Sequence, residues 1–326
     1  MTQPPPPTPA AAAAETAAVV IGRNEGERLI RCLRSLTRQV RQIIYVDSGS
    51  CDGSVEAARN LGAEVVELDT SRPFTAARAR NAGLAAVATG TEYVQFTDGD
   101  CEVVEGWIAT AHAFMEANPQ AAVASGRRRE QFPSASVYNR LCDAEWDTPI
   151  GPAKACGGDA LMRLTALRDA GGYRDELIAG EEPELCLRLR RAGWEIWRLD
   201  AEMTRHDARM LRFGQWWQRS RRAGHAFAEG AALHGASPER HWVTETRRAL
   251  IWGAILPVAI LIGAAFSVWV LLLALIYPAQ LLRLVRRMGW ERGAFTLLGK
   301  FPEAVGVLEY HLNHRRGRSR TILEYK

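Results

Sequence analysis

Thr97-Asp98-Gly99-Asp100 closes the apolar, β-prone run Tyr93-Val94-Gln95-Phe96. Two carboxylates one residue apart repel each other unless a cation neutralises them. Hard oxygens suit Mg²⁺ or Mn²⁺, ions that keep positions open for phosphate oxygens. The glycine between them lets the backbone turn and leaves room for a ligand. The same residues also make an ordinary polar turn at a strand end, so the motif alone leaves metal binding open. Two further polar groups have the same setting: Gly22-Arg23-Asn24-Glu25 after one apolar run, and Asp47 to Asp52 after another. Together the three point to one shared ligand site, and acidic side chains suit ribose hydroxyls, base amides and a metal.

These groups need strands to carry them. Ala17–Ile21, Gln42–Val46, Glu64–Leu68 and Tyr93–Phe96 read as strands, with helices over 28–40, 54–61 and 75–88 between them. Such alternation predicts an α/β fold with a mainly parallel sheet and helices on both faces, its ligands beyond the carboxyl ends of the strands. There is no Gly-x-Gly-x-x-Gly and no Walker A sequence, which disfavours a dinucleotide site or a P-loop.

The chain has 326 residues, 47% of them apolar, enough for one large domain or two smaller ones. A net charge of only +4 argues against a nucleic-acid partner. Arginines instead gather at Arg219–Arg222, Arg283–Arg287 and Arg315–Arg320, beside an apolar stretch, which favours an anionic membrane surface. Six widely spaced cysteines suggest neither a zinc cage nor a disulfide framework. Residues 1–16, rich in proline and alanine, read as a disordered tail without signal-peptide features, leaving the globular part in the cytoplasm.

The motifs Val-Ile-Gly-Arg-Asn-Glu (20–25), Val-Asp-Ser-Gly-Ser-Cys-Asp-Gly-Ser (46–54), Ala-Arg-Ala-Arg-Asn-Ala-Gly (77–83) and Thr-Asp-Gly-Asp (97–100) resemble, in order, those of a family 2 glycosyltransferase with the GT-A fold. Gly22 replaces the usual proline of the first motif. The resemblance implies a catalytic domain over 17–230. It places Arg23, Asn24 and Glu25 near the nucleotide, Asp52 on the base and Asp47 on the ribose or base. Arg78 and Asn81 join that side. Asp98 and Asp100 would bind the ribose and a Mg²⁺ or Mn²⁺ bridging the diphosphate. A nucleotide-sugar donor is implied, with uridine preferred over guanosine.

Farther along, Arg127-Arg128-Arg129 reads as a solvated patch more readily than as a phosphate site. Gly157-Gly158-Asp159 suits a turn before a strand; by the resemblance it lies beside the diphosphate and acceptor. Gly180-Glu181-Glu182-Pro183-Glu184 opens a helix, where carboxylates suit the dipole and proline the first turn. The family pattern makes Glu182 the catalytic base, with Glu181 the runner-up, although aspartate is commoner there. His206 follows a strand over 194–199 and in GT-A enzymes would complete the metal site. Gln218 and Arg221 match part of a Gln-x-x-Arg-Trp motif, with Arg222 in place of tryptophan. That loss argues for transfer of a single sugar, and these side chains could meet a lipid-linked diphosphate or face water.

Residues 231–326 read as a helical region. About 20 apolar residues cross a bilayer and the run from Leu250 to Leu284 is about 35 long. Arginines on both flanks favour a hairpin of two short helices, turning near Gly263–Ser267, over one tilted span. The catalytic domain then sits on the cytoplasmic side of the inner membrane. Ala294–Leu312 reads as one amphipathic interfacial helix. The expected activity is inverting, metal-dependent transfer of one sugar to a lipid-linked or cell-envelope glycan. The alternatives are a sugar-nucleotide nucleotidylyltransferase and a non-catalytic nucleotide-binding membrane scaffold.

Overall fold

The structure, a computed structural model, describes residues 9–236 and 238–316. Arg318 and Arg320, and the first eight residues of the tail, lie outside the described residues. The chain forms two compact units, Met1–Pro133 with Cys142–Arg209, and Ser134–Leu141 with Met210–Lys326.

In the first unit, helices α1 (Pro9–Glu15), α2 (Glu27–Leu36), α3 (Ser54–Asn60) and α4 (Ala76–Ala85) alternate with strands β1 (Thr16–Gly22), β2 (Gln42–Asp47), β3 (Glu64–Glu67) and β4 (Tyr93–Asp98). Then follow β5 (Cys101–Val103), α5 (Trp107–Ala117), β6 (Ala121–Glu130), α6 (Val137–Glu145), β7 (Gly151–Pro152), β8 (Ala160–Arg163), α7 (Leu164–Asp169), α8 (Glu181–Arg191) and β9 (Glu195–His206). The first residues of α6 belong to the second unit.

The sheet runs β3-β2-β1-β4-β8-β6-β9-β5, with β7 beside β9. β3, β2, β1 and β4 are parallel. Beyond β4 the sheet is mixed. β8 is antiparallel to β4 and β6, and β5 and β7 are antiparallel to β9, while β6 and β9 are parallel. The α/β class with helices on both faces is therefore as expected, but "mainly parallel" describes only the first half.

Successive strand residues face opposite sides of a sheet. Ala17, Val19 and Ile21 of β1 accordingly join one core with Ala77 and Ala79 of α4. Ala18 and Val20 join the other with Leu29, Leu33 and Leu36 of α2. An unbroken apolar run is what a strand covered on both faces requires. Gly83 lets α4 lie close to the sheet: a Cβ there would come within 2.3 Å of Val19 Cγ1.

Three expectations are corrected here. Residues 9–15 of the tail are helical, with Ala12 buried; alanine is the strongest helix former and this turn has a surface to pack on. The arginine run at 127–129, expected as a solvated patch, lies within strand β6, which continues to Glu130. Strand β9 continues to His206, so that histidine ends a strand instead of following one.

The second unit contains α9 (Phe213–His234), α10 (Val243–Leu250), α11 (Leu256–Ala264), α12 (Ile276–Met288), α13 (Trp290–Leu298) and α14 (Lys300–Arg315). All of α9 belongs to it, and the first compact unit ends at Arg209. Helix α9 lies close against α14 because glycines face backbone. A Cβ at Gly224 would sit 2.0 Å from the Glu303 carbonyl oxygen, and one at Gly306 2.0 Å from that of Arg221. The single amphipathic helix expected over 294–312 is two helices that break at Gly299. Pro302 has no N–H to bond the preceding turn, and proline is favoured in the first turn of a new helix.

The apolar region forms two helical stretches, Val243–Ala264 of 22 residues and Val268–Met288 of 21, each long and apolar enough to cross a membrane. They meet at residues 265–267, where Ser267 N–H donates to the Gly263 carbonyl. Large apolar side chains here lie open, Phe266 at 87%, Trp269 at 74% and Leu261 at 69% exposure. That is unlike the core helix pair of a water-soluble domain.

Candidate active site

The turn after β4 is seated on the end of β1. Gly99 N–H donates to the Ile21 carbonyl at 2.8 Å, and a Cβ on Gly99 would lie 3.2 Å from that oxygen. This docking presents Asp98 and Asp100 at the carboxyl edge of the parallel strands.

Asp98 is held between two guanidiniums. Arg80 Nη2 donates to its Oδ1 at 3.0 Å and Arg128 Nη2 to its Oδ2 at 3.1 Å. Burial by itself would raise the Asp98 carboxyl, but Arg80 and then Arg128 outweigh it and hold the group below the usual carboxylate range. The other nitrogen of the Arg80 fork, Nη1, reaches Glu181 Oε1 at 2.7 Å and Glu182 Oε1 at 3.1 Å. One buried arginine thus joins the acidic start of α8 to the acidic turn after β4. Only arginine presents donors in a planar fork able to do this. The Glu182 carboxyl is pushed up to about 7, by burial first and by the neighbouring Glu181 next, with Arg80 partly offsetting both.

Asp159 closes the second side. Its Oδ1 accepts from Asp98 N–H at 3.2 Å, its Oδ2 from Thr204 Oγ1 at 2.8 Å, and Arg128 Nε lies 3.3 Å from Oδ2. The bare backbone of Gly158 makes room for the cluster. A Cβ there would come 2.7 Å from Arg80 Nη2 and 2.9 Å from Asp98 Oδ2. Gly157 is farther out, 4.0 Å from Arg128 Nη1 on the same construction.

His206 is brought in by sheet pairing: β5 and β9 run antiparallel with Cys101 opposite His206. Its Nε2 lies 3.1 Å from Asp100 Oδ2. A carboxylate oxygen and an imidazole nitrogen facing each other share either a proton or a cation, and Asp100, Cys101 and His206 each offer one ligand atom, all within 4.8 Å of one another. A buried carboxylate with an imidazole can hold a divalent ion such as Mn²⁺ or Mg²⁺. Both Asp98 oxygens, by contrast, are engaged by arginines, so Asp100 and His206 are the better-placed pair.

The remaining expected residues fall into distinct settings. Asn24 has a left-handed backbone, φ 55°. Its N–H donates to Ser50 Oγ at 2.9 Å and its Oδ1 accepts from Cys51 N–H at 2.8 Å, stitching the loops after β1 and β2 together. Arg23 is exposed on that rim, and Glu25 is buried against Arg28 at 2.5 Å. Asp47 accepts from Tyr45 OH and from the Gly49 and Ser50 amides, each at 2.8 Å, so its carboxylate builds its own turn. Asp52 accepts from the Ser54 amide and hydroxyl.

Arg78 and Asn81, expected toward the nucleotide, make other contacts. Arg78 donates to the carbonyls of Asp69, Arg72 and Pro73. Asn81 donates to the Tyr173 carbonyl and to Asp175 Oδ1, both at 2.7 Å. Arg80, from the same motif, is the side chain that reaches the carboxylates. Two residues advance a helix by about 200°, so Arg78 and Arg80 face nearly opposite ways. The solvated-patch reading of the arginine run holds only for Arg129, which is exposed. Arg127 is buried and pairs with Asp143 and Asp147, and Arg128 is half-buried and pairs with Asp98 and Asp159. Gln218, Arg221 and Arg222 lie on α9 in the second unit, where Arg221 pairs with Glu309 of α14 and donates to Gln218 Oε1 at 3.2 Å.

Residues 17–150 match the family model described as Glycosyl transferase family 2. The chain is 28% identical over 271 residues to the succinoglycan biosynthesis protein ExoA of Rhizobium meliloti, covering 76% of this chain and 82% of that protein. It is 28% identical to a pre-mycofactocin glycosyltransferase of Mycobacterium tuberculosis, over 59% of this chain and 42% of that protein. Among solved structures, the fold is similar to that of mannosyltransferase PcManGT from Pyrobaculum calidifontis in complex with GDP-Man and Mn²⁺. The TM-score is 0.62 at 17% identity, over 90% of this chain and 87% of that one.

Proposed function

We propose that this chain, whose residues 17–150 match glycosyl transferase family 2, moves a single sugar from a nucleotide-sugar donor, with inversion, to a lipid-linked or cell-envelope glycan. The observation that carries the reading is the Arg80 fork, which touches Glu182 with one nitrogen and Asp98 with the other. A base and a donor-side carboxylate are thereby held on opposite arms of one cation. Similarity to a succinoglycan biosynthesis protein supports a glycan acceptor.

In this reading Glu182 accepts the proton of the acceptor hydroxyl as that oxygen attacks the anomeric carbon. Glu181, paired with Arg80, adds to the burial that raises the Glu182 carboxyl. Asp98, fixed by Arg80 and Arg128, meets the ribose. Asp100 and His206 would hold Mn²⁺ or Mg²⁺, and that ion would supply charge neutralisation for the departing diphosphate. The rim of Arg23, Asn24, Glu25 and Asp52 receives the nucleotide, and Gly157-Gly158-Asp159 leaves room for the diphosphate and acceptor. Uridine is preferred over guanosine as the base.

The test is direct. The purified chain with Mn²⁺ is offered UDP- and GDP-sugars, and melting temperature and nucleoside diphosphate release are followed. At least one donor is expected to raise the melting temperature and to be slowly hydrolysed. No response to any nucleotide sugar rejects the proposal. Pyrophosphate release from a nucleoside triphosphate and a sugar phosphate would assign nucleotidylyl transfer instead.

The two apolar helices enter the cytoplasmic membrane as a hairpin, with Arg247 and Arg248 at one foot and Arg283, Arg286 and Arg287 at the other. Arginines at both feet keep both on the cytoplasmic side. The full chain is expected to sediment with membranes, to resist alkaline carbonate and to dissolve in detergent. Release by carbonate alone contradicts the hairpin.

A further inference from the structure

Trp146 lies in none of the motifs, yet it touches both halves of the carboxylate cluster. Its amide donates to the Cys142 carbonyl at 3.0 Å, closing the last turn of α6. Arg127 fixes this turn from both sides, with Nη2 3.1 Å from Asp143 Oδ2 and Nε 3.3 Å from Asp147 Oδ1. The indole so placed meets His206 in a T-shaped contact, centroids 4.7 Å apart, and carries the Arg128 guanidinium 4.9 Å from its ring centre. His206 is the imidazole beside Asp100, and Arg128 is the cation shared by Asp98 and Asp159.

We propose that Trp146 is a positioning residue for the metal site, the wall that holds the His206 ring in its ligating orientation while anchoring Arg128 on Asp98. The inference rests on the reading of Asp100 and His206 as metal ligands. An imidazole binds a cation only when its ring is turned to aim the nitrogen, and the groups that fix this orientation govern affinity. Indole also gives a guanidinium the most favourable aromatic face. One side chain thus touches both the metal side of the site and the arginine that pairs with Asp98.

The experiment measures Mn²⁺ binding by the full chain in detergent, from the loss of the free-ion electron paramagnetic resonance signal, with no nucleotide present. Trp146→Ala is expected to weaken Mn²⁺ binding by about tenfold, the effect of losing an outer partner of a ligand. Trp146→Phe, which keeps a ring for His206 and Arg128, is expected to recover most of it. Trp146→Leu keeps apolar bulk without a ring face and should behave like alanine, so the question stays answerable if the alanine variant does not fold. Leucine and alanine variants that bind as tightly as the native chain, while Asp100→Ala does not bind, overturn the role of Trp146 and leave the metal site standing. Native binding in both Asp100→Ala and His206→Ala, or no binding by the native chain, overturns the metal reading and the inference together.

Discussion

Glutamine in place of Glu182 should reduce sugar transfer by about 10²- to 10⁴-fold, the usual contribution of a general base. The fold should survive, because Arg80 keeps Glu181 and Asp98 as partners. A pH profile separates this from simple loss of structure. A base must be unprotonated to act, and burial with Glu181 alongside pushes the Glu182 carboxyl up to about 7. The native kcat/KM should therefore rise tenfold per pH unit below that value and level off above it, since this ratio reports the free enzyme. The glutamine variant should lose that limb along with the rate. Near-native turnover with the limb intact removes Glu182 from the mechanism and shifts attention to Glu181.

Methionine at position 80 should be costly for stability as well as for activity. Arg80 is nearly fully buried, and its removal strands Glu181, Glu182 and Asp98 without their common cation. Leaving buried charge unpaired costs about 3–5 kcal/mol, which lowers a melting temperature by on the order of 10 °C in a unit of this size. Arg80 also holds the Glu182 proton affinity down. Any residual activity should accordingly show its pH midpoint above the native one. Arg80→Lys should fall between, because an ammonium retains the charge but cannot fork between partners. An unchanged melting curve and an unchanged midpoint in the methionine variant would show that the fork does not link Asp98 to Glu182 in solution.

Arg80 and Arg78 also show where reading the chain ran out. Both sit in the motif at 77–83, and nothing in their order tells which one meets acid. That is decided by which face of α4 lies over the sheet edge, and Gly83 against Val19 sets this face. The run at 127–129 is similar. Three arginines in a strand look solvated until Asp143, Asp147, Asp98 and Asp159 arrive from other elements to pair two of them. Asp47 shows the reverse case, an acidic residue in the expected place whose carboxylate is taken by its own turn.

What the amino-acid order determined by itself was local: strand and helix periods, the glycine-punctuated acidic turns at strand ends, the acidic opening of α8 and the paired apolar stretches. These follow from backbone geometry and side-chain burial within a few residues. Which of the polar groups meet was decided only by tertiary structure. His206 reaches Asp100 through the antiparallel register of β5 on β9, and Trp146 reaches both His206 and Arg128 through the placing of α6. Such meetings depend on pairings between segments far apart in the chain, and a strand's register is set by the surfaces it buries, not by the residue at its tip.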